Sequence, residues 1–295
     1  MKSELSILIP AYNLCCVDLV RQLEGQASAL DIDYEIIVAD DGSTSAVARE
    51  TNRQINIIKC CRYWERPLNV GRAAIRNALA RESRYRYLLF IDGDMTVVRP
   101  DFIEAYLRAE GDEVIDGGVE ICGDAVALRW NLRFRYEKAN EHLHTVDKRQ
   151  QNPYSDFHTA NFLVRRDIML SHGFDERYSR YGYEDVAFGK ELKRCGIAIL
   201  HIDNPLGFSS FEGNKEFVDK TDESLMTLVD FTDELYGYSR LLDLARRLRS
   251  LHLSAFVVAF HKLFGSLLRR NLCGKRPMLA LFNPYKLGKL LYLYK

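Results

Sequence analysis

The first hundred residues alternate between two hydrophobic patterns. Short apolar runs at residues 5–9, 34–39, 55–59 and 88–91 are rich in Ile, Val and Leu, which reads as strands buried on both faces. The stretches between them carry apolar residues at three- and four-residue spacing, as amphipathic helices do. Val17, Leu19, Val20, Leu23 and Ala27 share one helical face; a second helix starts behind Ser43 or Thr44 as its cap; a third runs from Arg72 to Leu79. Strand and helix alternating four times predicts βαβ units and an α/β, doubly wound, mostly parallel sheet. Further on, residues 100–109 read as a helix with Pro100 in its first turn, 113–121 as a strand, 125–148 as mostly helical and 157–164 as a strand. A helix opening at Tyr181 reaches about Cys195, Gly196 closes it, and 197–201 form another strand.

The candidate chemistry lies at strand ends. The fourth strand, Leu88-Leu89-Phe90-Ile91, runs straight into Asp92-Gly93-Asp94. Ionised carboxylates are expensive away from water, so such a pair belongs at the carboxyl edge of a parallel sheet, where ligands bind. Two Asp separated by one small residue can offer oxygens to a hard divalent cation, which commonly brings a phosphate. A plain Asp-Gly turn is the other reading of these residues. No GxGxxG follows the first strand, so the dinucleotide-binding fingerprint is missing.

The formal net charge of zero conceals an asymmetry. Residues 240–295 carry 12 Lys/Arg and one acid, Asp243, while the preceding part carries 29 basic and 40 acidic residues. Basic and apolar residues from Arg240 to Arg249 recur at helical spacing, the pattern of a helix lying on an anionic bilayer; a helical hairpin packed on the acidic part is the alternative. No nucleic-acid motif accompanies the charge. Seven cysteines, two adjacent pairs and no CxxC argue against a disulfide framework or zinc site and for a reducing compartment. The chain reaches strand-like sequence by Leu5, and the expected location is cytoplasmic, peripheral on the inner face of the cell membrane.

Six motifs occur in register: Pro10-Ala11-Tyr12-Asn13, Asp40-Asp41-Gly42-Ser43-Thr44, Asn69-Val70-Gly71 with Arg76-Asn77, Asp92-Gly93-Asp94, Gly173-Phe174-Asp175-Glu176 and Gly182-Tyr183-Glu184-Asp185. Over roughly residues 3–215 their order and spacing resemble family 2 glycosyltransferases. The resemblance implies a GT-A fold at 1–215 with a C-terminal helical, basic amphipathic extension at 216–295. It also implies inverting transfer of a hexosyl or N-acetylhexosaminyl group from a nucleotide-diphospho-sugar, UDP-linked first, to a hydroxyl of a glycan or lipid-linked acceptor in surface glycan or polysaccharide synthesis. In that reading Pro10, Ala11, Tyr12 and Asp41 hold the base and ribose, and Arg72 and Arg76 lie near the phosphates or pack structurally. Asp92, Gly93 and Asp94 form the DXD motif, whose carboxylates bind Mn²⁺ or Mg²⁺. Asp185 is the catalytic base, and Glu184 orients it or touches the acceptor. Relatives place a third metal-ligating His in the loop after the Glu-Asp pair; here that loop, 204–212, has none, and His201 sits at a strand end. Two other classes remain beside this one: a sugar nucleotidyltransferase, which would carry a Gly- and Lys-rich first loop, and a catalytically silent sugar-nucleotide or glycan-binding protein.

Overall fold

Three of the four N-terminal apolar runs form strands where the pattern places them. The computed structural model describes residues 2–111 and 113–294. Its strands are β1 (Glu4–Ala11), β2 (Asp33–Asp40), β3 (Cys61–Glu65), β4 (Tyr87–Ile91), β5 (Met95–Thr96), β6 (Val114–Asp116), β7 (Val119–Ile121), β8 (Asn161–Arg165), β9 (Ile199–His201) and β10 (Leu206–Phe208). The helices are α1 (Val17–Ala27), α2 (Ala46–Asn52), α3 (Arg72–Glu82), α4 (Phe102–Arg108), α5 (Leu132–Asn140), α6 (Val146–Gln151), α7 (Arg166–Ser171), α8 (Glu184–Arg194), α9 (Asn214–Asp230), α10 (Thr232–Leu235), α11 (Arg240–Ser250), α12 (Ser254–Leu272) and α13 (Phe282–Leu293).

The main sheet runs β3-β2-β1-β4-β8-β6-β9. Strands β1 to β4 are mutually parallel, as are β6 and β9, while β8 is antiparallel to β4 and β6. The expected mostly parallel, doubly wound sheet is therefore present. A small sheet, β5-β10-β7, stands beside it.

Four local expectations are corrected. Residues 55–59 are not a strand: Arg53–Ile57 winds as a 3-10 helix with Ile55 buried and Ile57 85% exposed. Cys60, at φ +56°, turns the chain, and 61–65 pair with β2 instead. The N-cap of α2 is Ser45, whose side chain accepts from the Ala48 N–H, rather than Ser43 or Thr44. The strand expected at 113–121 breaks at Gly117-Gly118 into β6 and β7, which belong to different sheets. A Cβ on Gly117 would collide with Tyr106 Oη and with the Asn204 carbonyl, and Gly118 has φ +82°, so the crossing between sheets needs both glycines. Finally, 125–148 is helical only in α5, a 3-10 turn at Glu141–Leu143 and α6.

The chain divides into two compact units, one of 1–122, 142–179 and 184–210, the other of 123–141, 180–183 and 211–295. Unlike a single cut at 215, this division groups 123–141 with the C-terminal helices. In the first unit, Phe162 stacks on Phe90 at 5.0 Å and Phe174 on Phe188 at 4.3 Å in an aromatic core between sheet and helices. The second unit has its own core of Leu132, Phe217, Val218, Leu268, Leu272, Phe282 and Tyr285. Among the described residues no single helix is long and apolar enough to cross a membrane; α11 and α12 pass that test only as a pair, bent by 114°.

Candidate active site

The carboxyl ends of β1, β2 and β4 meet along one edge of the sheet, and three loops leave from there. Between β1 and α1, Asn13 takes φ +55°. Its N–H donates to Ser43 Oγ at 2.7 Å, and its Oδ1 accepts from the Ser45 N–H at 2.8 Å. The loop 10–13 is thus knitted to the loop after β2. Pro10 is partly buried, Ala11 buried and Tyr12 exposed on that edge.

The two aspartates after β2 divide the work of holding the edge together. Buried Asp40 accepts from the Ser43 N–H at 2.6 Å and from the Tyr63 hydroxyl. Asp41 accepts from Val70 N–H and Gly71 N–H, each at 3.0 Å. Burial pushes the Asp41 carboxyl up from its usual range, against those two backbone donors. It fixes the loop that opens α3, and so fixes where Arg72 and Arg76 point.

At the end of β4, Met95 N–H returns to Asp92 C=O at 3.1 Å, closing a turn around Gly93. A Cβ on Gly93 would lie 3.0 Å from Cys16 Sγ and 3.3 Å from the Pro10 carbonyl, so this loop closes tightly on the first one. Burial raises the Cys16 thiol to about 12, keeping it an uncharged packing group.

Arg76 joins the elements. It is 1% exposed and stacks over the Phe174 ring at 5.5 Å. Its Nη2 donates to Asp92 Oδ1 at 2.6 Å, and its Nη1 lies 3.5 Å from Glu184 Oε1. One turn earlier, Arg72 is 46% exposed; its guanidinium lies 3.9 Å from Asp92 Oδ2 and 3.6 Å from Glu184 Oε1. Two motifs separated widely along the chain, at 92–94 and 182–185, thereby share two arginines. A desolvated guanidinium needs such partners, because a buried unpaired charge costs several kcal/mol.

Glu184 and Asp185 form the first turn of α8, where the helix dipole favours carboxylates. Glu184 is buried on the arginine side; Asp185 is partly accessible and accepts from its neighbour's Val186 N–H at 2.8 Å. Burial, reinforced by Glu184, raises the Asp185 carboxyl above the ordinary range, while His158 and Arg72 pull it down. The His158 ring meets His144, Nε2 to Nδ1, at 3.2 Å.

The structure brings Asp92, Arg72, Arg76, Glu184 and, through its electrostatic contact, Asp185 together. Pro10, Ala11, Tyr12, Asp41, Gly93 and Asp94 lie on the same loop edge. Asp92 and Asp94 present the hard carboxylate oxygens able to hold a divalent cation, with Asp92 Oδ2 3.9 Å from the half-exposed Arg72 side chain. His201 is elsewhere: buried, its Nε2 donates to the Pro153 carbonyl at 3.0 Å, and its Nδ1 lies 3.1 Å from Asp116 Oδ2. A second group of donor atoms, on His172, Glu191 and Cys195, lies at the far ends of α7 and α8, where Arg194 clamps Glu191. Sequence reasoning missed Asp40, Cys16 and His144; only the doubled Asp40-Asp41 carried any signal for them. It also left Arg76 open between a phosphate contact and structural packing, and the structure buries it between two carboxylates.

Comparison with known proteins bears on the fold and the family. Over 244 residues the chain is 26% identical to chondroitin synthase of Escherichia coli, covering 72% of this chain and 35% of the synthase. It is 26% identical to hyaluronan synthase of Pasteurella multocida over 62% of this chain and 22% of that one. The chain thus spans about a third or less of these two curated relatives. Among solved structures, a mannosyltransferase of Pyrobaculum calidifontis in complex with GDP-Man and Mn²⁺ superposes with a TM-score of 0.56 at 14% identity, covering 99% of this chain and 86% of that one. S. aureus TarS 1–349 in complex with UDP-GlcNAc gives 0.52 at 14%, with 98% and 90% covered. The fold is the GT-A fold of these glycosyltransferases. With the family model for glycosyl transferase family 2 matching residues 6–172, this chain belongs to that family.

Proposed function

We propose that the chain is an inverting glycosyltransferase that moves a sugar from a nucleotide-diphospho-sugar, a UDP-sugar first, to a hydroxyl of a glycan or lipid-linked acceptor in surface polysaccharide synthesis. The carrying observation is the Arg76 bridge: it holds Asp92, at the donor end of the motif set, and Glu184, beside the candidate base, in one crevice. Asp92 and Asp94 would hold Mn²⁺ or Mg²⁺; when bound, such a cation supplies Lewis-acid stabilisation to the diphosphate. The relatives that make glycosaminoglycan-type polymers support the polysaccharide context.

The chain's own residues do the rest. Exposed Tyr12 and the edge set by Asp41 receive the base and ribose. Arg72, half-exposed beside Asp92, turns toward the diphosphate as charge grows on its leaving oxygen. Asp185 takes the proton of the acceptor hydroxyl while that oxygen bonds to the anomeric carbon; the bond from carbon to phosphate oxygen breaks and nucleoside diphosphate departs. One displacement inverts the centre without a covalent enzyme intermediate. The raised Asp185 carboxyl makes a stronger base than a solvated aspartate, and Arg76 fixes Glu184 so that the first turn of α8 holds its place.

The same proposal sets the protein at the inner face of the cell membrane. Helix α11 carries Arg240, Arg246, Arg247 and Arg249, and α12 exposes Phe256, Phe260, Leu263, Phe264 and Leu267 along one stripe, the two faces of an interfacial helix pair. Purified protein with Mn²⁺ and a panel of sugar nucleotides tests the chemistry: nucleoside diphosphate released from one donor, lost with chelator and lost in Asp185→Asn, is expected. Failure to bind any donor would overturn it. Flotation with vesicles containing anionic lipid, and none with neutral vesicles, tests the placement.

A further inference from the structure

The second unit contains a groove of about 1010 Å³ that the transfer site does not use. It is at the upper end of small-molecule site volumes, roughly 300–1,000 Å³. Phe217, Leu225, Leu244, Phe256, Phe260 and Leu287 line it, from α9, α11, α12 and α13. Three of these, Leu244, Phe256 and Phe260, are exposed large apolar side chains, and the groove continues into the exposed stripe of α12.

Charge makes this groove different from an ordinary gap between helices. Lys220, Arg240 and Lys286 line it, against one acid, Glu137. Lys220 is paired with Glu212 and Glu216 at 3.3 and 3.1 Å. Lys286 is not: among the described residues no carboxylate lies within ion-pair distance. Its ammonium lies against the Tyr136 and Phe282 rings, at 4.5 and 4.6 Å from their centroids, and donates to Tyr136 Oη at 3.2 Å. Burial lowers this amine to about 8. Arg240, at the first position of α11, is exposed and likewise has no ion pair among the described residues. An apolar trough with three cations against one acid, in which Glu137 acts on Lys286 without an ion-pair contact among the described residues, is complementary to an amphiphile with a long hydrocarbon chain and an anionic head.

We infer that this groove binds the hydrocarbon chain of a phosphate-bearing lipid, with Lys286 and Arg240 meeting the phosphate. A second copy of the chain fits less well, since a two-fold contact would set a surface with 12 basic residues and one acid in 240–295 against itself. A neutral ligand would leave the cations uncompensated. The inference deepens the membrane half of the proposed function and rests on it for the source of the lipid; the binding itself does not require the transfer chemistry.

The test is calorimetric titration of the full chain with dodecyl phosphate below its micelle concentration, with dodecyltrimethylammonium and inorganic phosphate as controls. One-to-one binding of dodecyl phosphate, about tenfold or more tighter than either control, is expected, because a charge-assisted contact adds to chain burial. Lys286→Met and Arg240→Gln should each weaken dodecyl phosphate several-fold without weakening dodecyltrimethylammonium. Val257→Trp, which fills the groove, should remove both amphiphiles while helical circular dichroism and the unfolding midpoint of the full chain stay unchanged and report an intact fold. Equal affinity for the two amphiphiles, or full binding in Val257→Trp, would overturn the inference. So would light scattering that shows a dimer dissociated by Val257→Trp, which assigns the groove to a second copy. Lipid binding without any donor binding would leave this inference standing and remove the proposed function instead.

Discussion

Two buried arginines in the first unit have similar surroundings and opposite consequences. Arg76 and Arg149 are 1% and 2% exposed, and each meets carboxylate oxygen. Arg149 is sealed: it binds Asp116, lies 3.1 Å from His201 Nδ1, and donates to the carbonyls of His144, Asp116 and Ile202. Its carboxylate partner Asp116 is 0% exposed, so nothing from solvent can enter. Arg76 instead pairs with one buried carboxylate, Glu184, and one nearer the rim. Asp92 is 13% exposed, and half-exposed Arg72 touches the same two carboxylates. A buried guanidinium with saturated, enclosed partners ties elements together. The same group with one partner reached by solvent leaves that partner able to exchange ligands, which is what a transfer site needs.

The largest effect expected falls on Asp185. Asp185→Asn should lower kcat by about a thousandfold, within the range for losing a general base, while donor affinity changes little. Equal losses in kcat and donor binding would place Asp185 on the donor instead. Next comes the sealed cluster. Arg149→Lys should cost about 3 kcal/mol in denaturant unfolding, since Lys cannot replace the guanidinium fork and leaves Asp116 underpaired, with activity per folded molecule retained. Arg76→Lys should do the reverse: activity down by roughly ten- to a hundredfold, from sub-ångström misplacement of Asp92 and Glu184, with a smaller stability loss. If both variants lose stability alike and activity alike, the contrast between the clusters collapses.

A pH series separates the two sites further. Burial and Glu184 raise Asp185, so kcat/KM should fall on acidification through a value above the roughly 3.9 of a free aspartate. Asp116 moves the other way: burial would raise it, but the His201 bond and Arg149 outweigh that and hold it below the ordinary range. Its folded-state value is depressed, so its stabilisation is present above the unfolded value and is lost only as pH falls through the lower folded one. Activity should therefore fade on acidification before this cluster yields, and unfolding curves beside rate profiles will show the order. The smallest effect expected is Arg72→Gln, about tenfold on kcat/KM, since an exposed arginine acts through screened contacts.

Much of this was legible in the residues, and unevenly. The corrected third strand shows why. Ile55, Ile57 and Ile58 look more strand-like than Cys61-Arg62-Tyr63-Trp64-Glu65, yet only the latter reach β2 in register, with Tyr63 turned inward. Pairing to a neighbour outranks intrinsic preference in an edge strand. The glycines at 117 and 118 mark a crossing between sheets that no periodicity announces, because its cause is Tyr106 and Asn204 arriving from elsewhere.

The sequence by itself determined the alternating α/β layout, the parallel strands β1, β2 and β4, the acidic start of α8 and the basic character of the C-terminal helices. Each of these follows from apolar spacing, helix-end chemistry or charge within a short window, where neighbours along the chain are neighbours in space. Tertiary structure decided that Arg76 is buried between Asp92 and Glu184, that His201 is sealed against Asp116, and that Lys286 lies against two aromatic rings. Those outcomes depend on groups brought together from distant segments. A charge's role is set by what surrounds it after packing, and that leaves no local trace in the order of residues.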